Sequence, residues 1–425
     1  MAFESILTVS SSSIKFGKGA TREVGWDMAQ FGAHRVMVVT YPRVAKLDPV
    51  AVVLESLRAH GLEGVLYDQV ATEPTEVSFQ DAIRFAQQGH FDGYIGVGGG
   101  SSLDTAKAAN LYASYPADFL AYVNAPVGEG RPVPGPVAPM IGIPTTAGTG
   151  SETTGIAVFD FRALHAKTGI SSVRLRPLLG IIDPDNTRTL PPMVGVSTGW
   201  DVLTHAIESI TAIPYNQRQA IENPAARPSY QGANPISDVW AAKAVELVSR
   251  NLLRVANGTA DETVRSEMLL ASTMAGIGFG NAGVHLPHAM SYPVAGGVRS
   301  YIPPDYPRDH PIIPHGIAVS LDAPAVYRWT APVNPERHLW AAQLMGVDIS
   351  DADSEDAGEI LASTVTNLMR QTGMPNGLSA VGFSPADVDQ LVAGTLAQQR
   401  LTKMAPRPAD AAALREIFLN AMTIW

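Results

Sequence analysis

The chain is predicted to fold as two domains, an α/β N-terminal half on a parallel sheet and an all-α C-terminal half, meeting near residue 190. Three observations carry this. Strand-like and helix-like segments alternate at short intervals over residues 1–190, the pattern of βαβ units. After Leu190-Pro191-Pro192 the strand-like runs give way to long Ala/Leu-rich stretches of helical period. A length of 425 residues suits two compact domains, here 1–190 and 191–425.

Taken in order, residues 35–40 (RVMVVT) are a β-branched run closed by Tyr41-Pro42, hence a buried strand. Residues 48–60 have helical spacing and stop at Gly61. Strands are expected at 64–67 and 93–97, with a helix at 78–89 between them and another at 105–115 after them. Apolar runs at 138–143 and 158–161 add further strands. In the second half, helices are expected at 199–210, 237–256, 262–276, 354–372 and 409–422, with irregular loops at 214–235 and 299–314.

Composition narrows the function. An excess of ten acidic side chains gives a net charge of −10, which argues against nucleic acid as a partner. With no cysteine, disulfides, iron–sulfur clusters and thiolate zinc sites are excluded, so any metal must be held by His, Asp or Glu. No uninterrupted apolar run is long enough to cross a membrane, and Met1 to Ser5 carry neither a basic nor an apolar leader pattern. On these grounds the protein is expected to be soluble and cytoplasmic, with no membrane partner.

Two loops have the chemistry of phosphate and ribose binding. GVGGGSSLD (residues 96–104) follows a strand and opens a helix, where glycines admit a phosphate to the backbone amides. Ser101 or Ser102 is placed to cap that helix, with Asp104 in its first turn. PTTAGTGSETT (residues 144–154) again follows an apolar run and offers hydroxyls and amides around two glycines. Each alone reads equally well as a tight or polar turn; together they point to a dinucleotide crevice.

Asp201 and His205 lie four apart in WDVLTHAIESI and so share a helix face, as an ion pair or as two ligands of one ion. His288 and His315 each sit in apolar surroundings, where an unpaired imidazole is costly. One Asp and three His make a mixed N/O donor set suited to Fe(II) or Zn(II).

At these residues a resemblance becomes visible. GGGSSLDTAK (98–107), PTTAGTGSE (144–152), the Asp201/His205 helix, His288 and HGIAVSL (315–321) resemble the iron-containing, or group III, alcohol dehydrogenases. GSETTGIAVFD (150–160), RPSYQGANPISD (227–238) and GIGFGNAGVHLPHAMSYP (276–293) are similar to the hydroxyacid–oxoacid transhydrogenase branch of that family. The resemblance implies a dehydroquinate synthase-like fold, a homodimer or higher homo-oligomer, and a cleft between the two halves. It places a nicotinamide dinucleotide on Gly99, Gly100, Ser101, Asp104, Thr145, Thr146, Thr149, Ser151, Thr154 and Lys167. Asp201, His205, His288 and His315 would bind the metal, Fe(II) in the first instance and Zn(II) otherwise.

Two departures matter. Tyr292 stands where the family repeats a histidine, and His285 where it has a glycine, which makes His285 and Tyr292 the candidate proton relays. After the first strand, Thr40-Tyr41-Pro42-Arg43 carries no acid to meet a ribose, so NAD is preferred and NADP stays open. The implied activity is hydride transfer between a small hydroxyacid or alcohol and the nicotinamide, of the 4-hydroxybutyrate/2-oxoglutarate type. The alternatives are a general NAD(P)-dependent alcohol dehydrogenase, a lyase on the same fold, or a non-catalytic nucleotide binder. A hydroxyacid requires a cation, for which Arg227 and Arg299 are the candidates.

Overall fold

The computed structural model describes residues 3–162, 166–224, 227–308 and 310–425. The chain divides into two compact units, Ser11–Leu190 and Pro191–Trp425, the second joined by the first ten residues.

The first unit carries eight strands: β1 Ser13–Phe16, β2 Arg35–Thr40, β3 Glu63–Tyr67, β4 Gly93–Gly98, β5 Met140–Pro144, β6 Ile156–Phe161, β7 Ala166–Ser171 and β8 Leu179–Ile182. Its helices are α1 Val24–Gln30, α2 Asp48–Ala59, α3 Glu76–Gly89 and α4 Gly100–Ser114. Six strands form one parallel sheet in the order β1-β8-β5-β4-β2-β3, while β6 and β7 pair separately and antiparallel. Alternation along β2 builds both faces. Val36 and Val38 pack with Val50, Val53 and Leu57 of α2, whereas Met37 and Val39 pack with Ala82 and Ala86 of α3 and Ala106 and Ala109 of α4. From β2 the chain runs to β3 on one side, then returns to β4 on the other. The carboxyl ends of β2 and β4 therefore flank a reversal of strand order, the position where open α/β sheets take ligands.

The second unit comprises α5 Pro192–Thr211, α6 Pro235–Ala256, α7 Glu262–Ala282, α8 Leu286–Gly296, α9 His315–Thr330, α10 Pro335–Leu344, α11 Ala357–Gln371, α12 Val388–Leu396, α13 Gln399–Thr402 and α14 Ala411–Asn420. Helix α5 is central, packed by α6, α7 and α9 and buried along nearly its whole length.

Several sequence expectations need correction. Residues 1–10 join the helical unit, where the Thr8 and Ser10 amides donate to Gln231 Oε1 (2.9 Å) and Asn281 Oδ1 (3.0 Å). Helix α4 begins at Gly100 rather than 105, so Ser101 and Ser102 lie inside its first turn and no side chain caps it. Strands β1 and β8 are four residues each, too short for the alternation test. Helix α7 runs on to Ala282 through three glycines, because its close packing on α6 outweighs their poor helix propensity. Helices α8, α9 and α10 had no amphipathic signal, since α8 and α9 are buried nearly all round and carry internal prolines.

Candidate active site

In the α/β unit the two Gly-rich loops meet. The Thr145 amide donates to Gly98 O (3.0 Å), tying the end of β4 to the start of the second loop. A Cβ at Gly100 would come within 2.7 Å of Thr149 Cγ2, and one at Gly99 within 3.2 Å of Thr146 Oγ1. The absence of a Cβ, at Gly100 above all, lets the loops approach this closely. Beneath them lies a buried polar knot that the sequence reading missed. Lys107 Nζ, fully buried, donates to Ser151 Oγ (2.5 Å), Ile156 O (2.8 Å) and Thr154 Oγ1 (3.4 Å) and lies 3.4 Å from Asp104 Oδ1. Burial pushes the Lys107 ammonium pKa down, opposed by the Asp104 carboxylate. Asp104 also accepts from Ser151 Oγ (2.6 Å) and the Val158 amide (3.0 Å).

Four of the nucleotide candidates have protein partners in the structure. Asp104, Ser151 and Thr154 turn their polar atoms into the knot, and Lys167 on β7 is buried in an ion pair with Glu73, with Asp160 3.5 Å away. Gly99 occupies the cap position of α4, whose first turn has no side-chain partner for its amides. Gly99, Gly100, Ser101, Thr145, Thr146 and Thr149 are all carried by the two touching loops.

In the helical unit the structure assembles a donor cluster around Asp201. Its Oδ1 lies 3.5 Å from His288 Nε2, 3.6 Å from His315 Nε2 and 3.6 Å from His205 Nδ1. One ligand atom each from Asp201, His288 and His315 lie within 4.8 Å of one another. His205 stacks between Phe279 (3.9 Å between ring centroids) and His288 (4.3 Å). Buried Asp201 Oδ1, His205 Nδ1 and His288 Nε2 make no hydrogen bond. Such atoms are costly to leave alone. Donors around one ion at about 2.1 Å in tetrahedral array stand about 3.4 Å apart, which matches this spacing and fits a transition metal.

Local sequence builds the cluster. Asp201 and His205 sit one turn apart on α5. His315 opens α9, and a Cβ at the next residue, Gly316, would fall 1.8 Å from Ser197 O, so only glycine lets α9 approach α5 closely enough. His288 is set by Glu208, a residue the sequence reading missed. Fully buried on α5, Glu208 accepts from the amides of His285 (2.7 Å) and His288 (3.3 Å) and hydrogen-bonds His288 Nδ1. It thus caps α8 and aims His288 Nε2 at Asp201. Its signal was legible, since Asp201, His205 and Glu208 share the face of one helix at spacings of four and three.

Electrostatics follow from burial. His205 is held neutral, its pKa pushed down to about 3 by desolvation, which keeps a lone pair available. Burial alone would raise Asp201, but the neighbouring imidazoles of His205, His315 and His288 hold it below the usual carboxylate range. His288 is driven up to about 9, burial being outweighed by Glu208 and Asp201.

The remaining assignments fare differently. His285 is fully buried at the start of α8 with Nε2 2.9 Å from Thr211 Oγ1, and desolvation lowers its pKa to about 4. Tyr292 lies beside His315, ring centroids 6.1 Å apart. Both candidate arginines have carboxylate partners in the structure. Arg227 is 3.5 Å from Glu4 Oε2 and donates to Thr8 Oγ1 (3.2 Å), while Arg299 pairs with Asp387 over the Phe383 ring.

Comparison with known proteins gives the same picture. Residues 11–184 match the model of the "Iron-containing alcohol dehydrogenase" family and residues 229–422 that of the "Fe-containing alcohol dehydrogenase family, C-terminal". The mitochondrial hydroxyacid-oxoacid transhydrogenase of Xenopus tropicalis is 50% identical over 416 residues, 97% of this chain and 90% of that protein. The Homo sapiens protein of the same name is 49% identical over 97% of this chain and 89% of its own length. Among solved structures, a 1,3-propanediol oxidoreductase superposes with a TM-score of 0.84 at 28% identity, covering 98% of this chain and 100% of that one. An alcohol dehydrogenase from Oenococcus oeni does so with 0.84 at 26%, with the same coverage. The expectation of a cytoplasmic protein is overturned, because these transhydrogenase relatives are named mitochondrial. That expectation rested on composition and on patterns not found, and the same globular fold serves either compartment. The chain belongs to the iron-containing alcohol dehydrogenase family of oxidoreductases.

Proposed function

We propose that this protein is a hydroxyacid–oxoacid transhydrogenase, moving a hydride from a hydroxyacid such as 4-hydroxybutyrate to an oxoacid such as 2-oxoglutarate through a nicotinamide nucleotide. The observation that carries the metal-dependent chemistry is the donor cluster around Asp201, in which Asp201 Oδ1, His205 Nδ1 and His288 Nε2 are buried without a hydrogen bond. The substrate class is supported by the relatives 49–50% identical over 97% of the chain. Asp201, His205, His288 and His315 would hold Fe(II), with Zn(II) the other ion this N/O set accommodates. The amides at the start of α4 and the hydroxyls of Thr145, Thr146 and Thr149 would hold NAD, or NADP. Held there, such a metal would supply Lewis-acid polarisation of a substrate oxygen, and the nucleotide would supply hydride-transfer chemistry.

The chain's own residues supply geometry. Glu208 fixes the rotation of the His288 ring, Gly316 brings His315 to the cluster, and the Lys107 knot holds the two loops together. Neutral His205 and ionised Asp201 are the protonation states a cation requires.

Purified holoprotein given 4-hydroxybutyrate and 2-oxoglutarate without added nucleotide should form 4-oxobutyrate and 2-hydroxyglutarate in equal amounts, detected by mass spectrometry. Turnover only with added NAD(P), and equally on neutral alcohols, would make it an ordinary alcohol dehydrogenase.

A further inference from the structure

A carboxylate on the substrate must meet a cation, and most guanidinium groups of the helical unit are taken. Arg227 faces Glu4, Arg299 Asp387, Arg328 Glu359 and Arg337 Asp238. Arg400 is different. It stands on α13, which packs against α8, the helix carrying His288 and Tyr292. Its guanidinium carbon lies 4.7 Å from the centroid of the Tyr230 ring, and burial, which lowers its pKa, is outweighed by Tyr230 and Tyr292, which raise it. Both tyrosines are buried, 5% and 6% exposed, so the charge is directed inward. Among the described residues, no carboxylate pairs with it. The Tyr292 ring is in turn 6.1 Å from His315, one of the metal-donor imidazoles.

We infer that Arg400, held on Tyr230 and Tyr292, is the residue that recognises the substrate carboxylate at the Asp201 cluster. This rests on the transhydrogenase reading above and names its specificity determinant. A guanidinium has five donors in a rigid fork, and two phenol oxygens and a ring face leave room for a bidentate carboxylate. Stacking on Tyr230 fixes the plane of the fork before the substrate arrives. The chemistry of the two substrates fits a single cation. In 4-hydroxybutyrate the carboxyl carbon is three bonds from the carbinol carbon, and in 2-oxoglutarate the distal carboxyl carbon is three bonds from the keto carbon. Donor and acceptor therefore present a carboxylate at the same reach from the reacting centre, and a neutral alcohol presents none.

The test is Arg400→Met in the holoenzyme, with metal content and nucleotide fluorescence measured first to show that both groups are retained. We expect kcat/KM for 4-hydroxybutyrate to fall about ten- to a hundredfold while that for 1-butanol changes less than about threefold. Arg400→Lys, which keeps charge without the fork, should fall between the two and keeps the test open should the Met variant fold poorly. Calorimetric titration with glutarate gives a readout free of turnover, with Kd rising in both variants. Equal losses on acid and alcohol, or an unchanged glutarate Kd, would overturn the assignment of Arg400. Absence of any hydroxyacid preference in the unmodified enzyme would instead overturn the transhydrogenase reading.

Discussion

The two candidate binding regions are built in opposite ways. In the α/β unit, the side chains beneath the loops already satisfy one another: Lys107 bonds Ser151, Thr154 and a carbonyl, and Asp104 bonds Ser151 and a backbone amide. The amides that open α4 have no side-chain partner. In the helical unit the reverse holds, since Asp201 Oδ1, His205 Nδ1 and His288 Nε2 are buried without a hydrogen bond. The first is a finished platform. The second leaves buried donor atoms unpaired, as a site that takes a cation would. Damage to the platform should therefore show as lost stability, and damage to the cluster as lost metal.

The largest expected effect breaks the platform. Lys107→Met leaves the Asp104 carboxylate, 13% exposed, without its ammonium neighbour. Removing one partner of a buried pair costs about 3 kcal/mol at the lower end of its range, or a Tm loss of roughly 6–12 °C for a unit of this size. A thermal melt of the purified variant checks this, and metal content should not change. An unchanged Tm would mean that the hydroxyls and the Val158 amide alone stabilise Asp104.

Next in size is Glu208→Gln, which sharpens the comparison from the other side. The amide keeps the shape and the bonds to the α8 amides but withdraws the charge that holds His288. Loss of such a supporting carboxylate typically costs ten- to a hundredfold in metal affinity. Competition with a chromophoric chelator would measure it, with nucleotide affinity as the unaffected control.

The same contrast explains what could be read from the sequence. Paired hydroxyl and glycine loops after apolar strands were legible, and the structure brings these loops into contact; the four donors were legible too, and the structure gathers them around Asp201. Glu208 was within reach, at helical spacing from His205, but an acid on a helix is ordinarily a solvated one. Lys107 lay inside a quoted motif, yet nothing in a sequence says that a lysine is buried. Asp104, Ser151 and Thr154 were taken for ligand contacts because side-chain type reveals chemistry but not direction. Arg400 carried no local signal, since its partners lie about 110 and 170 residues upstream and only tertiary packing joins them. Helices α8 and α9 were lost for a related reason. Burial on all sides erases the amphipathic period on which helix recognition depends.

The smallest effect concerns Arg299, proposed from sequence as a substrate contact. Its guanidinium pairs with Asp387 and stacks over Phe383 at 5.9 Å, with 56% of the side chain exposed. That is a surface clasp between the segment following α8 and the turn before α12, and exposed pairs contribute little. Arg299→Met should leave the preference for hydroxyacids over neutral alcohols unchanged, in contrast to Arg400→Met. A faint stability signature should remain, and its sign is fixed. The Arg299 guanidinium and the Ser384 amide hold Asp387 down to about 2, below its ordinary value of 3.8. A carboxylate depressed on folding stabilises the native state above its unfolded pKa, and this is lost as pH falls through the folded one. The urea midpoint of the variant should therefore lie slightly below that of the unmodified protein at pH 7, and the gap should close on acidification below about pH 4. A gap that widened with acid, or a collapse of hydroxyacid preference at neutral pH, would return Arg299 to the substrate and remove the distinction between a surface clasp and a buried recognition residue.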